Sequence, residues 1–149
     1  MRIVIVGPFF WPQLEGVEKV MLNHARHLAR RGHEVHVVTS ALQFPKGEFI
    51  GLPREEVHEG FTIHRMRVLM REPNWRFFYL ANGGVLIRGI GVILRRINPE
   101  VLHAHQIAAP AWAFAAAWYA RTRGRRFFYS PHHHPDAVPG QRFRNLIMH

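Results

Sequence analysis

The first 39 residues contain the pattern that most constrains the fold, which is a strand, a loop, a helix and a second strand. Residues 3–6 are a continuous apolar, β-branched run that ends at Gly7, as is typical of a strand buried on both faces of a parallel sheet. The following segment has apolar residues at helical spacing, and Gly32 supplies a favoured C-cap. Residues 35–39 form the second predicted strand. This β-α-β unit is the standard crossover of a parallel sheet and predicts an α/β fold.

Strands and helices continue to alternate over the rest of the chain. The predicted elements are a strand at 61–69, a helix at about 85–97, a strand at 101–104, a helix at about 110–123 and a strand at 126–130. Residues 40–60 are rich in Gly and Pro and are predicted as a long loop, with a short strand near Val57 that turns at Glu59 and Gly60. The alternation predicts a Rossmann-like, doubly wound, mainly parallel sheet, and the strand order 3-2-1-4-5 is taken as the working hypothesis.

The composition of the chain excludes some classes of protein and favours certain kinds of partner. The chain has 149 residues, enough for one domain, and its 48% of hydrophobic residues excludes intrinsic disorder. It has no cysteine, which excludes thiolate catalysis and fits a reducing compartment, and its apolar runs are shorter than the ~20 residues of a membrane-spanning helix. The formal charge of +10 favours nucleic acid, phosphate-bearing small molecules or an anionic membrane as partners. The arginines are scattered and no nucleic-acid-binding motif is present, so nucleic acid is not expected.

The carboxyl edge of the predicted sheet is the expected place for a ligand. Open parallel sheets bind ligands where the strand order reverses, which lies here between strands one and four. The loop from Gly7 to Gly16 follows strand one, and His105 follows strand four on the same side of the sheet as His103. The run His132-His133-His134 leaves the neighbouring strand five at the same edge. These residues are the candidates for a functional site.

Each candidate has a structural as well as a functional interpretation. Gly16 at a helix start lets a phosphate approach free backbone N–H groups, but it is also simply a permissive residue, and its spacing alone favours the latter. Neither a dinucleotide-binding glycine motif nor a P-loop is present. His105 is as often a hydrogen-bonding framework residue as a catalytic one, and its histidine neighbours at the switch point favour function.

The histidines also raise the question of a metal. His103, His105 and the three histidines at 132–134 offer enough imidazoles for zinc. Three consecutive histidines point in different directions, however, and no cysteine pair or H-E-x-x-H motif supports a site. A polar loop that lines a cleft is therefore favoured, and no metal is expected.

A basic, aromatic segment at 70–79, followed by further arginines, raises the question of a membrane. Together with Arg88, Arg95 and Arg96 it suits an anionic membrane surface or a lipid-linked acceptor. For each single residue, a solvated face with some aromatic rings in the core is the favoured interpretation. Peripheral membrane contact is therefore an expectation for the segment as a whole.

An ordered set of short motifs covers nearly the whole chain. The motifs are Arg2-Ile3-Val4-Ile5-Val6, Pro8-Phe9-Phe10-Trp11-Pro12, Gly16-Val17-Glu18, Leu28-Ala29-Arg30-Arg31-Gly32-His33-Glu34-Val35, Asn98-Pro99-Glu100-Val101-Leu102-His103-Ala104-His105 and Ser130-Pro131-His132-His133-His134-Pro135. In this order they resemble the N-terminal domain of family four of the glycosyltransferases. The resemblance implies the GT-B architecture, in which two Rossmann-like domains face each other across a cleft.

The resemblance also implies an activity. The family transfers a sugar from a nucleotide-sugar donor to an acceptor, here a saccharide or a lipid-linked molecule, with retention of configuration and without a metal or other cofactor. Most donor-binding residues lie in a C-terminal domain that this sequence lacks, and the pattern ends on the start of a helix. We therefore expect residues 1–149 to be a truncated N-terminal domain that is inactive alone. The enzyme is expected in the cytoplasm, with peripheral contact at the inner membrane face.

The resemblance assigns roles to the residues at the sheet edge. His105 matches the histidine that contacts the transferred sugar and helps catalysis, and Gly16 offers backbone N–H groups to the donor diphosphate. The acceptor side is expected to be shaped by Phe9, Phe10, Trp11, His132, His133 and His134. Glu15 stands where the family usually has a second glycine, and its carboxylate would repel a diphosphate unless it points away. This departure weakens the phosphate assignment at the loop.

A function of a different class stays open. A non-catalytic α/β module would use the same basic surface to bind an anionic partner, or would form a homodimer through its unfinished sheet edge. A native chain of 149 residues favours this module, whereas a longer chain with a second domain favours the enzyme.

Overall fold

The computed structural model describes residues 1–43, 48–49, 51–67, 75–106 and 110–132. The strands are β1 (Arg2–Val6), β2 (Glu34–Ser40), β3 (Leu42–Gln43), β4 (Glu48–Phe49), β5 (Glu55–His58), β6 (Phe61–Met66), β7 (Val101–Gln106) and β8 (Arg126–Pro131). The helices are α1 (Gly16–Arg30), α2 (Trp75–Ile97) and α3 (Pro110–Arg123). Every strand and helix that the sequence pattern predicts within these residues is present.

Six strands form one sheet in the order β5-β6-β2-β1-β7-β8. Its strands pair in parallel except for β5, which pairs antiparallel with β6. The predicted order 3-2-1-4-5 is thus confirmed for the five parallel strands, and the predicted short strand near Val57 is the added edge. The tight turn from β5 to β6 has positive φ at Glu59 (47°) and Gly60 (86°), which is the conformation of a two-residue hairpin turn.

The second helix is the largest departure from the sequence prediction. It begins at Trp75 rather than near residue 85, so Gly83, Gly84, Gly89 and Gly91 lie within the helix despite their low helix propensity. Gly89 has a packing role there, since a Cβ at this position would collide with the side chain of Met66. In the predicted loop, β3 and β4 form a two-residue ladder, which is too short to leave an alternating pattern. The predicted strand end at 68–69 and the chain after 132 lie outside the described residues.

Side chains of β1 alternate between two apolar layers. Val4 and Val6 pack against the layer of α2 and α3, which includes Ile90. Ile5 packs against the layer of α1, which includes Met21. All five side chains are fully buried, so the sheet is covered on both faces. This confirms the doubly wound arrangement and makes the carboxyl ends of β1 and β7 neighbours at the reversal of strand order.

Candidate functional site

Four histidines come together at the carboxyl edge of the sheet. His103 and His105 lie on the same face of β7, His24 approaches them from α1, and His132 follows the end of β8. Nδ1 of His105 lies 3.0 Å from Nε2 of His132, and Nε2 of His105 lies 3.4 Å from Nδ1 of His24. Nε2 of His103 lies 2.9 Å from Oγ of Ser130. Both ring nitrogens of His105 therefore face another imidazole.

His105 is the most enclosed member of this histidine cluster, with 1% of its surface exposed. Burial, with a smaller contribution from the neighbouring imidazoles, lowers the pKa of His105 to about 3. Burial is also the main cause that lowers the pKa of His103 and the pKa of His132. At neutral pH His105 is a neutral imidazole that donates one hydrogen bond and accepts one.

The loop between β1 and α1 runs beside His105. The carbonyl oxygen of His105 lies 3.5 Å from the position that a Cβ on Gly7 would take, so the start of the loop contacts the end of β7. Farther along, Oγ of Ser40 donates a hydrogen bond to the carbonyl oxygen of Pro8 at 2.5 Å. The end of β2 thereby holds the loop against the sheet. The reversal point of the sheet brings the loop and His105 together, as the sequence pattern predicts.

The structure separates the three aromatic residues of this loop. Phe10 is 4% exposed and packs edge-on against Phe61, with 6.1 Å between ring centroids. Its ring is part of the apolar core beside α1, so it is not open to an acceptor, contrary to the sequence prediction. Phe9 is half-buried against the opposite layer, and Trp11 stacks on His58 at 4.5 Å between ring centroids.

A buried arginine holds the same loop in place. Arg65 of β6 is 4% exposed, and its guanidinium donates to the carbonyl oxygens of Trp11 at 3.1 Å and Pro53 at 3.2 Å. It also pairs with the carboxylate of Glu56 at 2.7 Å. One side chain thus joins the loop after β1 to the segment around β5. Sequence reasoning missed Arg65, because a single arginine in an apolar strand carries no signal of its partners.

The start of α1 combines an open glycine with two carboxylates. A Cβ at Gly16 would meet no atom within 4 Å, so packing within the described residues does not require glycine there. The Glu15 carboxylate accepts a hydrogen bond from Nε2 of Gln13 at 3.4 Å. The Glu18 carboxylate accepts one from the backbone N–H of Glu15 at 3.2 Å, and burial raises the pKa of Glu18. A phosphate at this helix end would compete with Glu18 for the backbone donor.

The sequence prediction and the structure agree only in part on the members of the site. The structure brings His105 and His132 together, whereas His133 and His134 lie outside the described residues. Sequence reasoning counted His24 among the apolar face of α1 and missed its contact with His105. Its position on the face turned toward the sheet was the available signal.

A basic, aromatic surface lies on the opposite face of the sheet, between α2 and α3. A cavity of about 340 Å³ opens there, and its lining includes Arg88, Arg95, Trp118, Tyr119 and Arg123. Trp118 and Phe114 are 56% and 54% exposed and stack on each other at 6.2 Å between ring centroids. No helix in the described part of the chain is both long enough and apolar enough to cross a membrane. The side chains at 70–79, which the sequence pattern singles out, lie outside the described residues.

The strand order and the helices that cover both faces of the sheet define a Rossmann-like α/β domain. The family is given by comparison with known proteins. A model described as Glycosyltransferase Family 4 matches residues 14–148, so the chain belongs to that family. The resemblance found in the sequence motifs is thereby confirmed.

Curated relatives are glycosyltransferases. The chain is similar to a GDP-mannose-dependent alpha-mannosyltransferase of Mycolicibacterium smegmatis, with 36% identity over 111 residues that cover 74% of this chain and 26% of the relative. It is also similar to a subunit of the phosphatidylinositol N-acetylglucosaminyltransferase of Arabidopsis thaliana, with 27% identity over 89% of this chain and 27% of the relative. The chain spans about a quarter of the length of these relatives.

Solved structures confirm the fold class. A sucrose-phosphate synthase from Thermosynechococcus elongatus superposes with a TM-score of 0.69 at 12% identity, over 94% of this chain and 36% of that chain. The catalytic domain of Starch Synthase IV from Arabidopsis thaliana, bound to ADP and acarbose, gives a TM-score of 0.57 at 17% identity, over 88% and 33%. Both are GT-B glycosyltransferases, and the likeness shows the fold.

Proposed function

We propose that residues 1–149 are the N-terminal, acceptor-side domain of a retaining glycosyltransferase that transfers a sugar from a nucleotide-sugar donor to an acceptor. The observation that carries the proposal is the buried His105 at the end of β7, in contact with the loop that follows β1. Membership of the glycosyltransferase family supports the reaction class. The reversal of strand order at the same place supports the position of the site.

His105 orients the transferred sugar in this proposal. Its Nδ1 is engaged by His132, which fixes the ring plane, and its Nε2 points toward the side from which His24 approaches. Sugar transfer builds positive charge at the anomeric carbon. A neutral imidazole offers a hydrogen bond to a sugar hydroxyl without placing a second positive charge beside that carbon.

The start of α1 faces the donor diphosphate in this proposal. Open space around Gly16 supports a close approach of phosphate to the backbone, and the helix dipole favours an anion there. Glu15 is held by Gln13, and Glu18 occupies the backbone N–H of Glu15. The diphosphate therefore binds beside Glu15 and displaces the Glu18 carboxylate from that donor.

The donor to test first is GDP-mannose, because two mycobacterial relatives are named for it. We propose a saccharide or lipid-linked acceptor bound beside Phe9, Trp11 and His132. A C-terminal domain completes the donor site, so residues 1–149 alone are inactive. Transfer itself uses no metal or other cofactor.

Peripheral contact with the cytoplasmic face of a membrane is part of the proposal. The exposed pair Phe114 and Trp118 lies beside three arginines that line the cavity between α2 and α3. Aromatic rings insert at the headgroup level and arginines attract anionic lipid. The Arabidopsis relative is named for a phosphatidylinositol acceptor, which agrees with such a surface.

The test is a transfer assay on the full-length protein with GDP-mannose and other nucleotide sugars, in the presence of a chelator. The proposal expects a glycosylated product whose anomeric configuration, read by NMR, equals that of the donor. Turnover with inversion would contradict the retaining mechanism. If no nucleotide sugar is transferred or hydrolysed, the proposal that the protein is a glycosyltransferase is wrong.

A non-catalytic dimerisation module is the second candidate, and the edge strand β8 is the observation that favours it. Phe128 and Tyr129 of β8 are 55% and 49% exposed. Edge strands with exposed apolar residues pair readily with another chain. Light scattering on the full-length protein distinguishes a dimer, and Phe128→Lys would return a β8-mediated dimer to a monomer.

A further inference from the structure

Three imidazoles, two from β7 and one from α1, each bring a ring nitrogen into the same small region. The nearest ring nitrogens of His24, His103 and His105 all lie within 4.8 Å of one another. Nδ1 of His24 and Nε2 of His105 are 3.4 Å apart, a long separation for a hydrogen bond. Zinc bonds imidazole nitrogens at 2.0–2.1 Å in a tetrahedron, which places neighbouring ligand nitrogens about 3.4 Å apart. The separation of this pair already has that value.

His103 and His105 each have a tautomer in which one ring nitrogen makes a hydrogen bond and the other is available to a metal. When Nε2 of His103 carries the proton and donates to Oγ of Ser130, 2.9 Å away, the lone pair of His103 is on Nδ1. When Nδ1 of His105 carries the proton and donates to Nε2 of His132, the lone pair of His105 is on Nε2, toward His24. Metal-binding histidines are normally fixed in this way, with the second ring nitrogen donating to a neighbouring acceptor.

The surroundings complete a metal site. His103 and His105 come from one strand and lie inside the cluster, whereas His24 lies on its exposed side. Because His24 is exposed, solvent can supply water as the fourth ligand. An all-imidazole set without a carboxylate selects zinc, copper, nickel or cobalt over magnesium and calcium.

We propose that His24, His103 and His105 bind one divalent transition-metal cation, with Zn²⁺ as the type case and water completing the tetrahedron. The bound cation takes the lone pair of His105 that faces the cleft. If His105 orients the transferred sugar, which rests on the function proposed above, the cation is therefore an inhibitor of transfer and no part of its chemistry.

Calorimetry of the full-length protein with ZnCl₂ alone tests the site. The variant His24→Gln removes the exposed ligand, and His27→Gln on the same helix is the matched control because His27 is outside the cluster. We expect one tight equivalent of Zn²⁺ in the wild type and in His27→Gln, and at least tenfold weaker binding in His24→Gln. Equal affinity in all three proteins would overturn the proposal.

Two further readouts keep the test decisive. His103→Gln removes a ligand from β7, and it must weaken zinc binding as His24→Gln does. Bound Co²⁺ must show the intense visible absorption of a tetrahedral ion in the wild type and lose it in both variants.

A transfer assay then compares each protein with and without Zn²⁺, and zinc must inhibit His24→Gln less than it inhibits the wild type. Zinc binding without transfer would refute the proposed function alone, whereas transfer with unaltered zinc binding in His24→Gln would refute this site alone.

Discussion

The contact between Nδ1 of His105 and Nε2 of His132, at 3.0 Å, joins the ends of β7 and β8 at the carboxyl edge of the sheet. The two rings meet edge to edge, with 5.3 Å between centroids and 22° between their planes, so His132 limits both the position and the tilt of the buried His105 ring. If His105 orients the transferred sugar as proposed, His132 is a positioning residue that acts through His105.

The first prediction is that His132→Ala lowers kcat with little change in donor KM. One hydrogen bond contributes about 1–1.5 kcal/mol, so the expected loss of kcat is about 5–10-fold. Steady-state kinetics of the full-length protein measure it. His132→Gln, which keeps an acceptor at this position, should restore part of the rate. A rise in acceptor KM with kcat unchanged would show that His132 binds acceptor and does not position His105.

The second prediction concerns the open glycine at the start of α1. Gly16→Ala adds a methyl group where the chain leaves open space, so the unfolding midpoint should not fall. The methyl group hinders approach of phosphate to the backbone, and a lost charge-assisted hydrogen bond of ~1.5–3 kcal/mol predicts a donor KM about tenfold higher or more. Gly84→Ala, in a helix and equally open, is the control and should leave donor KM unchanged. Equal donor KM in Gly16→Ala and Gly84→Ala would show that Gly16 is not part of the donor site.

The third prediction concerns the arginine that holds the loop after β1. Arg65→Lys keeps a cation for Glu56 but cannot reach the carbonyl oxygens of Trp11 and Pro53 together. The expected cost is about 1–3 kcal/mol of stability, measured by denaturant unfolding, with a rise in acceptor KM and an unchanged donor KM. Arg67→Lys, at an exposed position two residues on, serves as control. The role of Arg65 as an anchor fails if both variants unfold at the same denaturant concentration.

The fourth prediction is a loss of stability in acid caused by His64. Burial is the main cause that lowers the pKa of His64 to about 4, with Glu55 acting in the opposite direction and His36 and Arg96 adding to the lowering. Nδ1 of His64 accepts from Arg96 at 3.1 Å, and its Nε2 lies 3.0 Å from Nδ1 of His36. The folded state therefore stabilises the neutral form of the His64 ring.

The sign of the pH effect follows from the lowered pKa. The unfolded state, with a pKa near 6.5, binds the extra proton first, so this stability is present above pH 6.5 and is lost as the pH falls toward 4. The expected loss between pH 7 and pH 4 is about 2–3 kcal/mol. Unfolding of the wild type and of His64→Gln over that range measures the difference in slope, and His27→Gln provides the exposed control. Parallel profiles for wild type and His64→Gln would contradict the prediction.

The architecture was largely readable from the sequence, because buried parallel strands are continuous apolar runs and the crossover helices have clear ends. The start of α2 was not readable, since Gly83 and Gly84 suppress the local helix signal ahead of the apolar stripe at 86–97. Residues at the ends of parallel strands are also predictable as neighbours, which is why His105 and His132 could be paired. Their partner His24 comes from a helix whose rotation is set by the core, and Arg65 acts through backbone carbonyls, which leave no sequence pattern.

The central claim is that His105 acts on the transferred sugar, and the direct measurement is kcat/KM of His105→Ala in the full-length protein. The account predicts a fall of at least ~100-fold, the usual effect of removing one group that stabilises a transition state. His33→Ala, before β2 at the other end of the sheet, should match the wild type, and near-ultraviolet circular dichroism should show the same fold in all three proteins. A folded His105→Ala protein with near-normal turnover would contradict the account.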